Sequence, residues 1–101
     1  MNALKMRAQA SELQYARERD VEFRVDTRSK MLLAVWAAEK LGRVDPNAYA
    51  DELVTEDIIR RGGAVERLQR DFAEAGIPVA GDEIQSRLAS TLRQVALDMA
   101  S

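Results

Sequence analysis

The sequence predicts an all-α protein: a four-helix bundle with a long first helix whose N-terminal arm is extended or disordered. Three observations carry this. Residues 3–41 contain neither Gly nor Pro and are mostly strong helix formers. Three Gly- or Pro-bearing breaks follow, at Gly42–Pro46, Gly62–Gly63 and Gly76–Pro78. The segments between and after these breaks carry apolar residues at helical spacing, and no segment alternates in the manner of a strand.

The first helix is expected from Ala3 to Leu41, with Gly42 where a C-terminal glycine belongs. At 1.5 Å per residue it would be roughly 60 Å long. A compact chain of this size has a radius of gyration of only about 13 Å, so part of the helix must overhang, bend or fray. Phe23, Leu33, Trp36, Ala37 and Leu41 give the second half its apolar side chains, with Leu32, Leu33, Trp36 and Ala37 as a stripe. Before about Arg19 the apolar residues are small, thin and poorly aligned. Isolated helices of that kind are marginal in water. Residues 1–19 therefore read as a flexible arm and residues 20–101 as the bundle.

The second helix starts at Asp45, an N-cap, with Pro46 in the first helical position. Tyr49, Ala50, Leu53, Val54 and Ile58 form its apolar face, and Arg60 and Arg61 fall in its expected last turn. The third runs from about Ala64 to Ala75 on a stripe of Val65, Leu68, Phe72 and Ala75, and Gly76 and Pro78 stop it. Ile77 and Val79 plug the end of the core. The fourth runs from about Asp82 to Met99 on Ile84, Leu88, Leu92, Val95 and Met99. Leu33, Trp36, Leu53, Leu68, Phe72, Leu88 and Leu92 are expected to share one core.

Composition limits the function. With 101 residues the chain is one domain, and with neither Cys nor His it lacks thiolate chemistry and the commonest acid, base and metal ligand. No activated nucleophile, phosphate loop or metal site can be assembled from the motifs present, so no catalytic residue, metal or cofactor is assigned and the protein is not expected to be an enzyme. Glu56 and Asp57, neighbours on a helix, read as surface charge. No apolar run approaches the ~20 residues of a membrane span, and no leader is visible, so a cytoplasmic protein without membrane insertion is expected. Residues 1–44 hold 9 basic and 6 acidic side chains and residues 45–101 hold 6 and 11. This is either the scatter of a solvated surface or a basic half that meets an acidic partner. Arg17, Arg24 and Arg28 could be phosphate contacts, but Glu18, Asp20, Glu22 and Asp26 among them would repel a nucleic-acid backbone.

The run Val35-Trp36-Ala37-Ala38-Glu39-Lys40-Leu41-Gly42 resembles the LWAAEKLG signature of the alphaproteobacterial F-type ATP synthase inhibitor ζ subunit family. Upstream, Phe23, Asp26, Arg28, Leu32 and Leu33 match the family's F, E, R, L and L. Downstream, Ala48-Tyr49-Ala50, Leu68-Gln69-Arg70-Asp71 and Ala75-Gly76-Ile77 align with its AYA, LRxD and AGV, and Asp82-Glu83-Ile84 matches a helix start ending in E-I. Where inhibitory members begin with an acidic stretch like FDDREKAFE, this chain reads Leu4-Lys5-Met6-Arg7-Ala8-Gln9-Ala10-Ser11-Glu12, with Lys5 and Met6 in place of two aspartates. Tyr15 stands for a phenylalanine and Arg17 for a histidine.

The resemblance implies a four-helix bundle whose N-terminal arm enters the catalytic head of the synthase, becomes helical there and stops ATP hydrolysis by blocking rotation. The arm would act through Leu4, Met6, Arg7, Glu12, Tyr15, Arg17 and Phe23. The protein would sit peripherally on the inner-membrane synthase. The alternative is a regulatory bundle that binds a nucleotide or small ligand and has a weak or lost inhibitory arm. Some family members are thought to bind adenine nucleotide on the bundle, but no motif here assigns such a site.

Overall fold

In the computed structural model, which describes the backbone of residues 3–100 and the side chains of residues 8–100, helix α1 runs from Ala3 to Leu41. It ends in a Schellman motif: the Arg43 N–H donates to Ala38 O at 2.9 Å and the Gly42 N–H to Glu39 O at 3.2 Å. Gly42 has φ +71°, a left-handed conformation that suits glycine. Helix α2 spans Pro46–Ile59, and Asp45 caps it by accepting the Ala48 N–H at 3.1 Å. Helix α3 is Gly63–Glu74 and helix α4 is Gly81–Ala100, with Asp82 and Glu83 in the first turn of α4 complementing the helix dipole.

The C-terminal half of α1 is the centre of the assembly. It packs against α2, α3 and α4; α2 also packs on α3, and α3 on α4. Among the described residues α2 and α4 do not pack against each other. Small residues set the close approaches: Ala34, Ala37 and Ala38 of α1 are fully buried, as is Ala50 of α2, with Ala64 of α3 nearly so. Leu33, Leu53, Leu68, Phe72 and Ile84 fill the space between them, and burying each is worth about 1.5–3 kcal/mol. Ile77 and Val79 pack against this core from the α3–α4 loop. Trp36 lies at the core's edge, its ring 5.7 Å from that of Phe72.

The turn between α2 and α3 is close-packed. A Cβ on Gly63 would stand 2.8 Å from the Glu56 carbonyl oxygen, a backbone atom that cannot swing away. Glycine at this position lets the start of α3 approach the last turns of α2.

Several expected positions differ. Helix α2 ends at Ile59, so Arg60 is its C-cap and Arg61 lies beyond it; neither is in the last turn. Ile58 is 66% exposed: among the described residues α4 does not pack on α2, and nothing else covers this side chain fully. Leu32, Phe23 and Met99 are also exposed, and Leu92, only half-buried, lies outside the main core. The sequence leaves open whether the arm is extended or disordered; the structure describes it from Ala3 as helix continuous with the rest of α1. The molecule measures 64 × 28 × 24 Å, its long dimension that of a 39-residue helix.

Truncating the core should show its weight. Phe72→Ala and Leu68→Ala should each destabilise the fold by about 2–5 kcal/mol in chemical denaturation. A variant as stable as the parent would contradict the packing described.

Candidate functional site

The arm is the part of the chain that the bundle leaves uncovered. Every residue from Ala8 to Arg24 is exposed, and burial begins only at Val25. Leu4, Met6 and Arg7 lie outside the residues whose side chains the structure describes. Glu12, Tyr15, Arg17 and Phe23 are all on exposed helix, with Tyr15 61% and Phe23 57% accessible. At 100° per residue Glu12, Tyr15 and Phe23 fall within an arc of roughly 80°, and Arg17 projects from the far side. The structure thus brings the first three to one face and separates Arg17 from them. Arg19, not singled out by sequence, joins that face: its guanidinium donates to the Tyr15 hydroxyl at 3.3 Å and lies 5.7 Å from the ring centroid. A further exposed pair, Arg24–Asp20 at 2.7 Å, runs along the helix.

Where α1 enters the bundle, a buried ion cluster holds it. The Lys30 ammonium, 11% exposed, donates to Asp26 at 2.7 Å on its own helix and to Asp57 on α2. Asp57 is not the surface charge that its sequence neighbourhood suggests: its side chain is 8% exposed. Its second oxygen accepts the Ala64 N–H at 3.2 Å, so one carboxylate ties α1, α2 and the start of α3 together. Burial disfavours the charge on Lys30, but the hydrogen bonds it donates to Asp26 and Asp57, together with their negative charge, outweigh it, and the pKa is raised.

A second cluster locks the far side of α2. Asp71 on α3 accepts the Tyr49 hydroxyl at 2.6 Å and the Arg67 Nε–H at 2.8 Å, with Arg43 3.7 Å away. Arg67 continues to Glu56 at 3.0 Å and Glu52 at 3.2 Å. The Arg43 and Arg67 guanidinium groups also lie 4.8 and 5.5 Å from the Tyr49 ring centroid. Burial alone would raise the Asp71 pKa; the Tyr49 and Arg67 hydrogen bonds and the positive charge of both arginines reverse this and lower it. Burial and the adjacent Asp71 carboxylate raise the Tyr49 pKa, keeping its hydroxyl a donor.

Sequence reasoning did not find these clusters. The only signals available were the i,i+4 pairs Asp26/Lys30 and Arg67/Asp71. Their partners Asp57 and Tyr49 come from another helix. Both clusters have the character of structural clamps, with no free nucleophile, base or open ligand position. Among the described residues no helix is long and apolar enough to cross a membrane.

Two measurements test the clamps. Lys30→Met leaves Asp57 buried without its cation and should cost about 3 kcal/mol of stability, read by urea denaturation. Asp71→Asn should cost about 1–3 kcal/mol at neutral pH. Because the folded-state pKa of Asp71 is lowered, its contribution is complete above the ordinary carboxylate value of 3.8 and is lost as pH falls through the lower folded value. The stability gap between parent and Asp71→Asn should therefore narrow in acid. A gap independent of pH down to pH 2 would rule out the charged clamp.

No curated protein matches the chain. A family model described as ATPase inhibitor subunit zeta matches residues 1–98, which takes in the arm, both clamps and nearly all of α4. That match spans almost the whole chain, and together with the four helices it shows that the protein belongs to the ATPase inhibitor subunit zeta family.

Proposed function

We propose that the protein inhibits ATP hydrolysis by the F-type ATP synthase, its N-terminal arm binding the catalytic head and blocking rotation. Membership of the inhibitor family supports the activity. The observation that carries the arm's role is the uninterrupted exposed helix from Ala8 to Arg24. A helix with no core to cover is free to bury its whole circumference in a partner. Its start is costly only in isolation: here the bundle-anchored half of α1 supplies the nucleus, and the arm adds residues by propagation. Leu4, Met6 and Tyr15 would serve as apolar anchors, and Arg7 and Arg17 would orient the arm on an acidic surface. Phe23 closes the arm where it meets the bundle.

In the alternative reading, a ligand-binding regulatory bundle, the concavity between α1 and α4 lined by Arg28, Ser86, Arg87, Ser90 and Thr91 would hold the ligand without the arm. One experiment separates the two: ATP hydrolysis by the host's isolated synthase head, with the full chain and with a chain lacking residues 1–19. The full chain should suppress hydrolysis. The shortened chain should melt at nearly the parental temperature and fail to inhibit. Equal inhibition by both would remove the arm from the mechanism.

A further inference from the structure

Helix α1 runs without a break from the arm into the centre of the bundle, Ala3–Leu41, so the buried half and the exposed half share one helical phase. The side chains that the bundle buries on α1 are Ser29, Lys30, Leu33, Ala34, Ala37 and Ala38. At 100° per residue they occupy one side of the helix, and Glu12, Tyr15, Arg19 and Phe23 fall within roughly 50° of the middle of that same side. Arg17 and Val21 lie on the opposite side. The exposed arm thus continues the buried stripe, in phase, beyond the point where the bundle stops covering it.

The root of the arm is pinned. Ser29, fully buried, donates its hydroxyl to Val25 O at 2.6 Å. Lys30 donates to Asp26 on its own helix at 2.7 Å and to Asp57 on α2, and Asp57 accepts the Ala64 N–H of α3. Turning α1 about its axis at this point would draw the Lys30 ammonium away from Asp57 and leave a buried carboxylate unpaired, which is costly. Further out, the i,i+4 pairs Asp20–Arg24 at 2.7 Å, Tyr15–Arg19 at 3.3 Å and Gln14–Glu18 at 3.2 Å brace successive turns. Residues 3–41 contain no Gly or Pro that could act as a swivel.

We propose that the bundle holds the arm in a fixed rotational register, so that the orientation in which the arm meets its partner is set by the packing of the buried half of α1. The proposal deepens the inhibitory reading above and rests on it. A partner then receives Tyr15 and Phe23 already aimed, and the ordering cost that a freely jointed arm meets on binding is met in folding instead.

The test inserts alanines, strong helix formers, between Arg24 and Val25 in the full chain. This point leaves the Asp20–Arg24, Val25–Ser29 and Asp26–Lys30 bonds each wholly on one side. Two alanines turn the arm by roughly 200° and lengthen α1 by roughly 3 Å; four turn it by roughly 40° and lengthen it by roughly 6 Å. Inhibition of ATP hydrolysis by the host's isolated synthase head is titrated with each chain, and an unchanged melting temperature confirms the bundle. Two alanines should weaken inhibition about tenfold, the loss of one strong anchor, while four, although longer, should stay near the parent. Equal inhibition by all three chains, or a steady decline with length, overturns the register and leaves the inhibitory arm standing. An inactive parent removes the inhibitory reading itself. The free chain gives a second readout that needs no head. Spin labels at Ala10→Cys and Ala73→Cys, exposed positions in this cysteine-free chain, should report a single narrow distance distribution. A broad one overturns the proposal whatever the inhibition.

Discussion

A helix of 39 residues is roughly 60 Å long, and three partners of 14, 12 and 20 residues cannot cover it. This mismatch of length shapes the whole molecule. The covered half of α1 is rich in alanine and leucine and becomes the axis on which the other helices assemble. The uncovered half keeps the helix and stays exposed at every residue from Ala8 to Arg24. A chain with the same composition and a shorter first helix would be a plain bundle with no projecting element.

The junction between the two halves is held by charge. The Lys30–Asp57 clamp lies just over one turn inside the point where burial begins. Asp57 transmits the hold further by capping α3 through the Ala64 N–H. The Tyr49–Asp71–Arg67 cluster does the same on the other side, joining α2 to α3, with Arg43 drawn in from the end of α1. Buried charges of this kind add little net stability over apolar packing, but they penalise every arrangement that separates them. Two such clusters around one short helix fix how α2 sits, and with it the walls beside the arm.

Membership of the zeta family covers the arm as well as the bundle, since the match spans residues 1–98. The apolar and charged residues of positions 8–24 are distributed around the helix rather than gathered into one stripe, which suits enclosure by a partner better than docking of a single face. Lys5 and Met6, where inhibitory members carry aspartates, make the tip more basic and more apolar.

Much of the fold is legible along the sequence. Helical spacing, the Asp45–Pro46 start, and the glycines at 42 and 76 define four helices to within a residue or two, because caps and breaks are local in cause. The resemblance around Trp36 gives the family for the same reason: a contiguous run is readable as such. The face of Tyr15, Glu12 and Phe23 also follows from period alone. Which apolar residues stay exposed does not. Ile58 and Leu32 fit their stripes as well as Leu53 and Leu33 do, and only the absence of α4 beside α2 and the rotation of α1 decide between them. Asp57 has the same local appearance as Glu56, yet it is buried on a lysine 27 positions earlier in the chain. The sequence by itself determined the helices, their ends and an arm without a core. The tertiary structure alone decided the clamps and which apolar side chains stay exposed, because each depends on how separate helices meet, and that is set by packing distances that no single helix carries.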